Sequence, residues 1–151
     1  GLARAYVIGT EDALNALTED KIEASNWWLG EVKAGLPWVV LATKEAFVPQ
    51  WINMDLVGGL VFNKGCYPGQ EIISRVQHIG STPRRSVLLK AECAFEAMSG
   101  DDVLIDGVAN GKVVMAAGSY AFAQVPLKAL EGGTFTVNGM TLTVQTLPYA
   151  F

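Results

Sequence analysis

One segment of the chain, residues 64–71, combines a cysteine with a lysine and glycines in the order Lys-Gly-Cys-Tyr-Pro-Gly-Gln-Glu. A cysteine acts as a nucleophile or a metal ligand only as its thiolate, and a nearby cation or a helix N-terminus lowers the thiol pKa. Cys66 meets both conditions, because Lys64 lies two residues away and a helix is predicted to begin at Gln70. Gly65 and Gly69 would let the backbone approach a ligand closely. The segment predicts a reactive thiol, with a small buried cysteine in a turn as the alternative.

Other chemistries have weaker support in the residue types. His78 is the single histidine, so a cysteine–histidine pair would have to use it, and we interpret it as a capping or packing residue near a helix end. Two cysteines and one histidine are too few for a zinc site without carboxylates, or for a cluster held by cysteines of one chain. No firm metal site is therefore predicted, and Cys66 is a candidate only for a transient ligand. Cys93 is interpreted as structural.

Charge is unevenly distributed along the chain. The net charge of −4 disfavours general nucleic-acid binding through bulk electrostatics. Residues 64–90 nevertheless carry five basic side chains and one acidic side chain, a local charge of +4, and the remaining residues carry −8. This distribution favours an anionic ligand near the cysteine segment. A solvated basic face is the alternative reading.

The composition limits the class of protein. The 151 residues are 50% apolar and 17% charged, which is enough for one domain, or two small ones, with a core that needs no disulfides. The longest apolar run, residues 36–42, is far shorter than the roughly 20 residues of a membrane helix. No membrane segment or secretory signal is predicted, and two cysteines form no disulfide pattern, so we expect a reducing cytoplasm.

Helices and short apolar segments are predicted before residue 83. Thr10 is placed to cap a short helix, and Gly35 is placed to end a second helix over about 24–33. A buried strand over 36–42, a third helix from Pro49 to Gly58-Gly59, a short strand over 60–62 and a helix over 70–77 complete this part. The tryptophans are interpreted as core residues; they are Trp27, Trp28, Trp38 and Trp51.

After Pro83 the apolar residues alternate with a period of two, which is typical of strands. Six strands are predicted, at 86–90, 103–106, 112–117, 120–125, 134–137 and 140–146. Turn residues separate them; the pairs are Asp106-Gly107, Asn110-Gly111, Gly132-Gly133 and Asn138-Gly139. The predicted fold class is α+β, with a partial α/β lobe over 1–82 followed by a small antiparallel β-barrel over 83–151.

The cysteine segment belongs to a longer ordered series of residues. The series consists of Pro49-Gln50, Asn53, Gly58-Gly59, Phe62, residues 64–71, Arg75, Gly80 and Arg85. It resembles the YgfZ-type folate-binding proteins, relatives of the glycine-cleavage T-protein, and every fixed position of their Lys-Gly-Cys-Tyr-x-Gly-Gln-Glu signature is present. The turn at 34–37 and the ending at 147–149 also resemble this family.

The resemblance implies a lobe that binds tetrahydrofolate beside a C-terminal β-barrel. It implies a cytoplasmic accessory factor, on an aminomethyltransferase-like scaffold, that assembles or repairs iron–sulfur clusters and affects tRNA-modifying iron–sulfur enzymes. Its partners would be folate and iron–sulfur proteins or assembly factors. The functional cysteine maps to Cys66 and the motif lysine to Lys64; the further motif or ligand-binding positions are Gly65, Tyr67, Gly69, Gln70, Glu71, Arg75 and Arg85.

Family members are about twice as long as this chain, and the additional half would precede Gly1. We therefore expect an incomplete folate pocket and an exposed apolar face around Trp27, Trp28 and Trp51, or self-association that covers this face. Two alternative functions are a folate-dependent one-carbon transferase and a non-catalytic interaction module. In the second alternative, Cys66 would be a packing residue.

Overall fold

A computed structural model describes residues 7–17, 23–65, 68–80 and 82–150. Three α-helices precede the sheet: α1 (Glu11–Asn15), α2 (Ala24–Ala34) and α3 (Glu71–Ile79). Six strands follow them: β1 (Arg84–Lys90), β2 (Asp102–Ile105), β3 (Val108–Ala117), β4 (Tyr120–Pro126), β5 (Phe135–Val137) and β6 (Met140–Gln145). Single 3₁₀ turns lie at Leu41–Thr43, Pro49–Ile52 and Leu127–Glu131. No helix among the described residues has the length and apolar character required to cross a bilayer.

The six strands form a closed antiparallel barrel in the order β1-β4-β3-β2-β5-β6, with β6 pairing back onto β1. This confirms the predicted strands and the predicted α+β fold with a C-terminal barrel. β1 and β4 pair along their whole length, from Arg84 opposite Pro126 to Lys90 opposite Tyr120. Because a closed sheet has no free edge, all strands find neighbours inside the domain. The predicted boundary at residue 82 stays a prediction.

Of the four predicted glycine turns, two join consecutive strands directly, a third, Gly132-Gly133, lies between the Leu127–Glu131 turn and β5, and one is not a turn. All four residues of the pairs Asp106-Gly107 and Asn138-Gly139 have a positive φ, between 49° and 82°, as tight hairpin turns require. The predicted turn at Asn110-Gly111 is wrong, since both residues lie within β3. A Cβ atom at Gly111 would lie 2.8 Å from the Gln124 carbonyl oxygen, so a close approach of backbones accounts for this glycine.

Alternate residues of the strands fill two separate apolar clusters. The interior of the barrel is filled from all six strands, and its members include Val87, Leu89, Val103, Ile105, Val113, Val125, Phe135, Val137 and Leu142. The outward side chains Leu88, Val114, Met115 and Phe122 form the second cluster with Val32 of α2, with Ile52 and with Leu147. The second cluster holds the preceding region against the outer surface of the barrel.

The predicted first and second helices are confirmed. The Thr10 hydroxyl accepts a hydrogen bond from the Ala13 amide at 3.4 Å, and Gly35 ends α2 with a φ of 64°. The predicted strand over 36–42 is wrong, because the structure has irregular backbone over 36–40, followed by the Leu41–Thr43 turn, and residues 38–42 are exposed. Polar contacts of single residues replace a strand ladder: the Trp38 indole donates to the buried Glu31 carboxylate at 2.6 Å, and the Val40 amide donates to the Thr43 hydroxyl at 3.1 Å.

The predicted third helix is confirmed only as the Pro49–Ile52 turn, because Asn53 adopts a left-handed conformation with a φ of 63° and ends it. The short strand predicted over 60–62 is wrong, since no strand occurs there. The core interpretation is also wrong for two of the tryptophans. Trp28 and Trp38 are 41% and 39% exposed, and their rings meet edge to face at 5.4 Å. Cys93 is exposed and lies outside both clusters, so it is not a core residue.

Candidate functional site

The residues that flank the motif cysteine lie on the surface. Lys64, Gly65, Pro68 and Gly69 are exposed. Cys66, the predicted reactive thiol, and the motif residue Tyr67 lie outside the described residues. Gly69 has a φ of 86°, which a residue with a side chain rarely adopts, and a Cβ atom there would meet nothing within 4 Å. The glycine at position 69 is therefore required by backbone conformation and not by crowding. Gly65, in contrast, is not among the positive-φ residues.

Helix α3 begins at Glu71, the last residue of the motif and one residue after the predicted start at Gln70. Gln70 occupies the N-cap position: its carbonyl accepts the first hydrogen bond of the helix, from the Ser74 amide at 2.8 Å, and its side chain makes no capping hydrogen bond. Glu71 lies in the first turn, where a carboxylate interacts favourably with the positive end of the helix dipole. The first amides of an α-helix have no partner within the helix. Residues 64–70 consequently lead directly to the electropositive end of α3.

The basic residues of the 64–90 segment do not form one cluster for a ligand. Lys64 and Arg75 are exposed, and Arg75 lies one turn after Glu71 on the same face of α3. Arg84 donates to the Asn110 side chain and backbone at 3.1 and 2.6 Å, and its partial burial lowers its pKa. The Lys90 ammonium lies at the other end of β1, 5.6 Å from the ring centroid of Tyr120. The charge available near the motif is therefore smaller than the sequence count indicates.

Arg85 is the most constrained of these cations. Its two terminal nitrogens bind the two carboxylate oxygens of Asp55 at 2.6 and 2.9 Å, and the side chains are only 12% and 13% exposed. One of these nitrogens also donates to the Gln50 carbonyl at 2.8 Å. A bidentate pair of this kind fixes both partners. Arg85 thus joins β1 to the Pro49–Ile52 turn, and a role for it in ligand binding stays a prediction.

A network of buried polar side chains, which sequence reasoning missed, surrounds this ion pair. The Asn53 amide donates to the Ser86 carbonyl at 2.8 Å, and the Ser86 hydroxyl donates to the Trp51 carbonyl at 3.0 Å. Gln50 donates from Nε2 to the Ile73 carbonyl of α3 at 2.8 Å. The signal in the sequence was the Pro-Gln-x-x-Asn spacing, which places two buried amide side chains at the two ends of one turn.

Tyr149 closes the network from the C-terminal end of the chain. Its hydroxyl donates to the Gly35 carbonyl at 2.7 Å and accepts from the Asn53 amide at 3.3 Å. Burial raises the pKa of the Tyr149 phenol, and the hydrogen bond from Asn53 and the charge of Arg85 oppose this rise. The folded state therefore favours the neutral form of the Tyr149 phenol.

A cavity of about 360 Å³ lies between residues 45–51 and the end of the motif. Its lining is mostly apolar and includes Phe47, Pro49, Trp51, Gly69, Ile72 and Ile73. Phe47 and Trp51 offer aromatic surface, and Glu45 is the one charged side chain among the described residues of the lining. The cavity connects Gly69 of the motif to the Pro49–Ile52 turn, and the Arg84 guanidinium lies 6.0 Å from the centroid of the Trp51 ring.

The fold and the site define a class of protein: a small antiparallel barrel whose outer surface carries helices and a cysteine motif at the start of a helix. Over 98% of its length the chain is 28% identical to the protein named tRNA-modifying protein YgfZ of Escherichia coli O45:K1 (strain S88 / ExPEC), and it covers 51% of that relative. The protein of the same name from E. coli O6:H1 (strain CFT073) is 27% identical over the same shares.

These relatives confirm the resemblance to YgfZ-type proteins, and the similarity lies in their C-terminal part. The chain spans about half the length of the curated relatives it matches. No protein-family model matches it.

Proposed function

We propose that this chain acts as the C-terminal part of a YgfZ-type protein that supports the assembly or repair of iron–sulfur clusters with tetrahydrofolate, through Cys66. By this route it would affect tRNA-modifying iron–sulfur enzymes in the cytoplasm. The observation that carries the proposal is the complete motif over 64–71, whose last residue, Glu71, is the first residue of α3. The relatives are named tRNA-modifying proteins, which agrees with the proposed effect.

The position of the motif supports a thiolate at Cys66. Lys64 is two residues away along the chain, and α3, whose first amides lack partners within the helix, begins at Glu71. A cation and a helix N-terminus both stabilise a negative charge on sulfur. Such a thiolate could react with a partner or bind a cluster transiently while the cluster is transferred as cargo.

The cavity beside the motif supports a folate ring better than a metal ion. Phe47 and Trp51 would hold a flat ring, and the exposed cations Lys64 and Arg75 would attract an anionic tail. The described residues contain no group of three or more histidine, cysteine or acidic side chains that could hold a metal. Tetrahydrofolate would supply one-carbon chemistry when bound. This chain would contribute the aromatic surface of Phe47 and Trp51, next to Gly69, on which the folate ring would lie.

The test replaces each cysteine separately in the protein expressed from its complete reading frame. Cys66→Ser should abolish support of an iron–sulfur tRNA-modifying enzyme under oxidative stress, measured as the modified-nucleoside content of tRNA by mass spectrometry. Cys93→Ser is the matched control, because Cys93 is exposed and lies far along the chain from the motif, and it should have no effect. Full activity of Cys66→Ser would contradict the proposal.

A second candidate, a non-catalytic interaction module, is favoured by one observation. The consecutive apolar residues Trp38, Val39, Val40 and Leu41 are all exposed, which is typical of a surface that contacts another protein. In that case, Cys66→Ser would retain activity and a charged residue at position 41 would remove it. Formation of methylene-tetrahydrofolate by the protein would instead favour the one-carbon transferase.

A further inference from the structure

Gln50 occupies an unusual position between α3 and the barrel. Its side chain is 1% exposed, and its Nε2 donates to the Ile73 carbonyl in the first half of α3 at 2.8 Å. The other polar atom, Oε1, has no hydrogen-bond partner among the described residues. Among the described elements, α3 packs mainly against the Pro49–Ile52 turn, to which Gln50 belongs. One buried side chain therefore supplies a polar link between the motif helix and the rest of the domain.

The backbone of the same residue is fixed to the barrel. The Gln50 carbonyl accepts from Arg85 of β1 at 2.8 Å, and Arg85 is held in turn by Asp55. At the end of the turn, Asn53 exchanges hydrogen bonds with the backbone of Ser86 at 2.8 and 3.3 Å. Gln50 thus has a rigid base on β1 and a side chain that reaches α3.

We propose that Gln50 is a positioning residue that holds α3 against the barrel, and through α3 fixes the motif loop and the reactivity of Cys66. The inference rests on the proposed function for its last step, the effect on Cys66. Its first step, the fixing of α3, stands on the hydrogen bonds alone.

The unpaired Oε1 atom strengthens this inference. A buried polar atom without a partner is costly, so an apolar side chain of the same size would fill the position more favourably if packing were its only role. Among the described residues, the Gln50 side-chain amide is bound through its donor group alone. The donor to the Ile73 carbonyl is therefore the contribution that the amide makes at this position.

The first experiment compares Gln50→Met with Gln124→Met. Gln124 is the matched control, because it is also buried, its Nε2 has no partner, and no hydrogen bond among the described residues joins it to α3. Hydrogen exchange of the α3 amides should be about fivefold to tenfold faster in Gln50→Met, the change expected when one hydrogen bond is lost. In Gln50→Met, exchange of the β1 and β4 amides should be unchanged. Gln124→Met should leave exchange of the α3 amides unchanged.

The same variants are then tested for the reactivity of Cys66 with iodoacetamide across pH. In Gln50→Met the midpoint of the pH profile should rise toward that of an ordinary thiol, because the helix N-terminus is no longer held in place. A Cys66 profile in Gln124→Met that matches the wild-type profile would support Gln50 as the positioning residue. Unchanged α3 exchange in Gln50→Met, or an unchanged Cys66 profile, would overturn it.

Gln50→Glu keeps the proposal testable if the methionine variant does not fold. A protonated carboxyl group can donate to the Ile73 carbonyl from the same place as the amide, whereas an ionised carboxylate cannot. Corrected for intrinsic rates, protection of α3 should be present at acid pH and lost as the introduced carboxyl group ionises, with barrel amides still protected. Equal protection of α3 below and above the pH at which the introduced carboxyl group ionises would overturn the proposal. Loss of tRNA modification is not needed for either readout, so failure of the proposed function is seen separately, in Cys66→Ser.

Discussion

The barrel and the region that precedes it are built in opposite ways. The barrel closes every strand edge and fills its interior with its own side chains. Residues 7–83 contain no strand among those described, and their fully buried apolar residues Val32 and Ile52 pack on the outer surface of the barrel. The preceding region also exposes the apolar run at 38–41. The barrel therefore provides the stable support, and the region that carries the motif obtains its order by docking.

The largest effect is expected from a cavity inside the barrel. Leu89→Ala removes a fully buried side chain of the interior cluster and should lower the free energy of unfolding by about 2–5 kcal/mol. Because the docked region depends on the barrel, both regions should unfold together. Tryptophan fluorescence reports only the preceding region, which holds all four tryptophans, and circular dichroism reports the strands. Separate transitions of the fluorescence and circular dichroism signals in this variant would contradict the dependence of the docked region on the barrel.

A cavity between the two regions should separate them. Ile52→Ala should cost about 2–3 kcal/mol, the lower part of the usual range, because the docked region can settle around the lost volume. The tryptophan signal should change at a lower denaturant concentration than the strand signal. Hydrogen exchange in β2 and β5 should remain slow. Loss of protection in those strands at the same midpoint would show that the two regions form one cooperative unit.

A smaller effect is expected where the chain end ties the regions together. Tyr149→Phe removes the donor to Gly35 and should cost about 1 kcal/mol at neutral pH. Burial raises the Tyr149 pKa, so the folded state keeps this proton at a pH where the unfolded state releases it. Stability should therefore fall as pH rises above the ordinary phenol value of about 10, and less steeply in the variant. Parallel pH curves for the two proteins would contradict this.

The smallest change in stability is expected on the exposed apolar run. Leu41 is 90% exposed, so Leu41→Lys should alter the free energy of unfolding by less than about 0.5 kcal/mol. It should nevertheless reduce any self-association of the chain, measured by sedimentation velocity across a range of protein concentrations. The matched change Val108→Lys, at an exposed position of the barrel, should not alter association.

The barrel was predictable because its information is local. Alternation of apolar residues and the Asp-Gly and Asn-Gly pairs identify the strands, and the structure places alternate residues inside. The absence of a strand over 36–42 was not predictable, since an exposed apolar run has the same composition as a buried strand. The site is mixed in the same way. Helix α3 followed from the sequence, whereas the contacts of Gln50 with Ile73 and Arg85 join residues 23 and 35 positions apart.

The central claim, that the motif cysteine is held as a reactive thiolate at the start of α3, is tested most directly at the thiol itself. Iodoacetamide labelling of Cys66 across pH, followed by peptide mass spectrometry with Cys93 in the same sample as an internal reference, gives its titration midpoint. The account predicts a midpoint clearly below the ordinary cysteine value of about 8.5, and a rise of that midpoint in Gln50→Met. A wild-type midpoint at or above about 8.5 would contradict it.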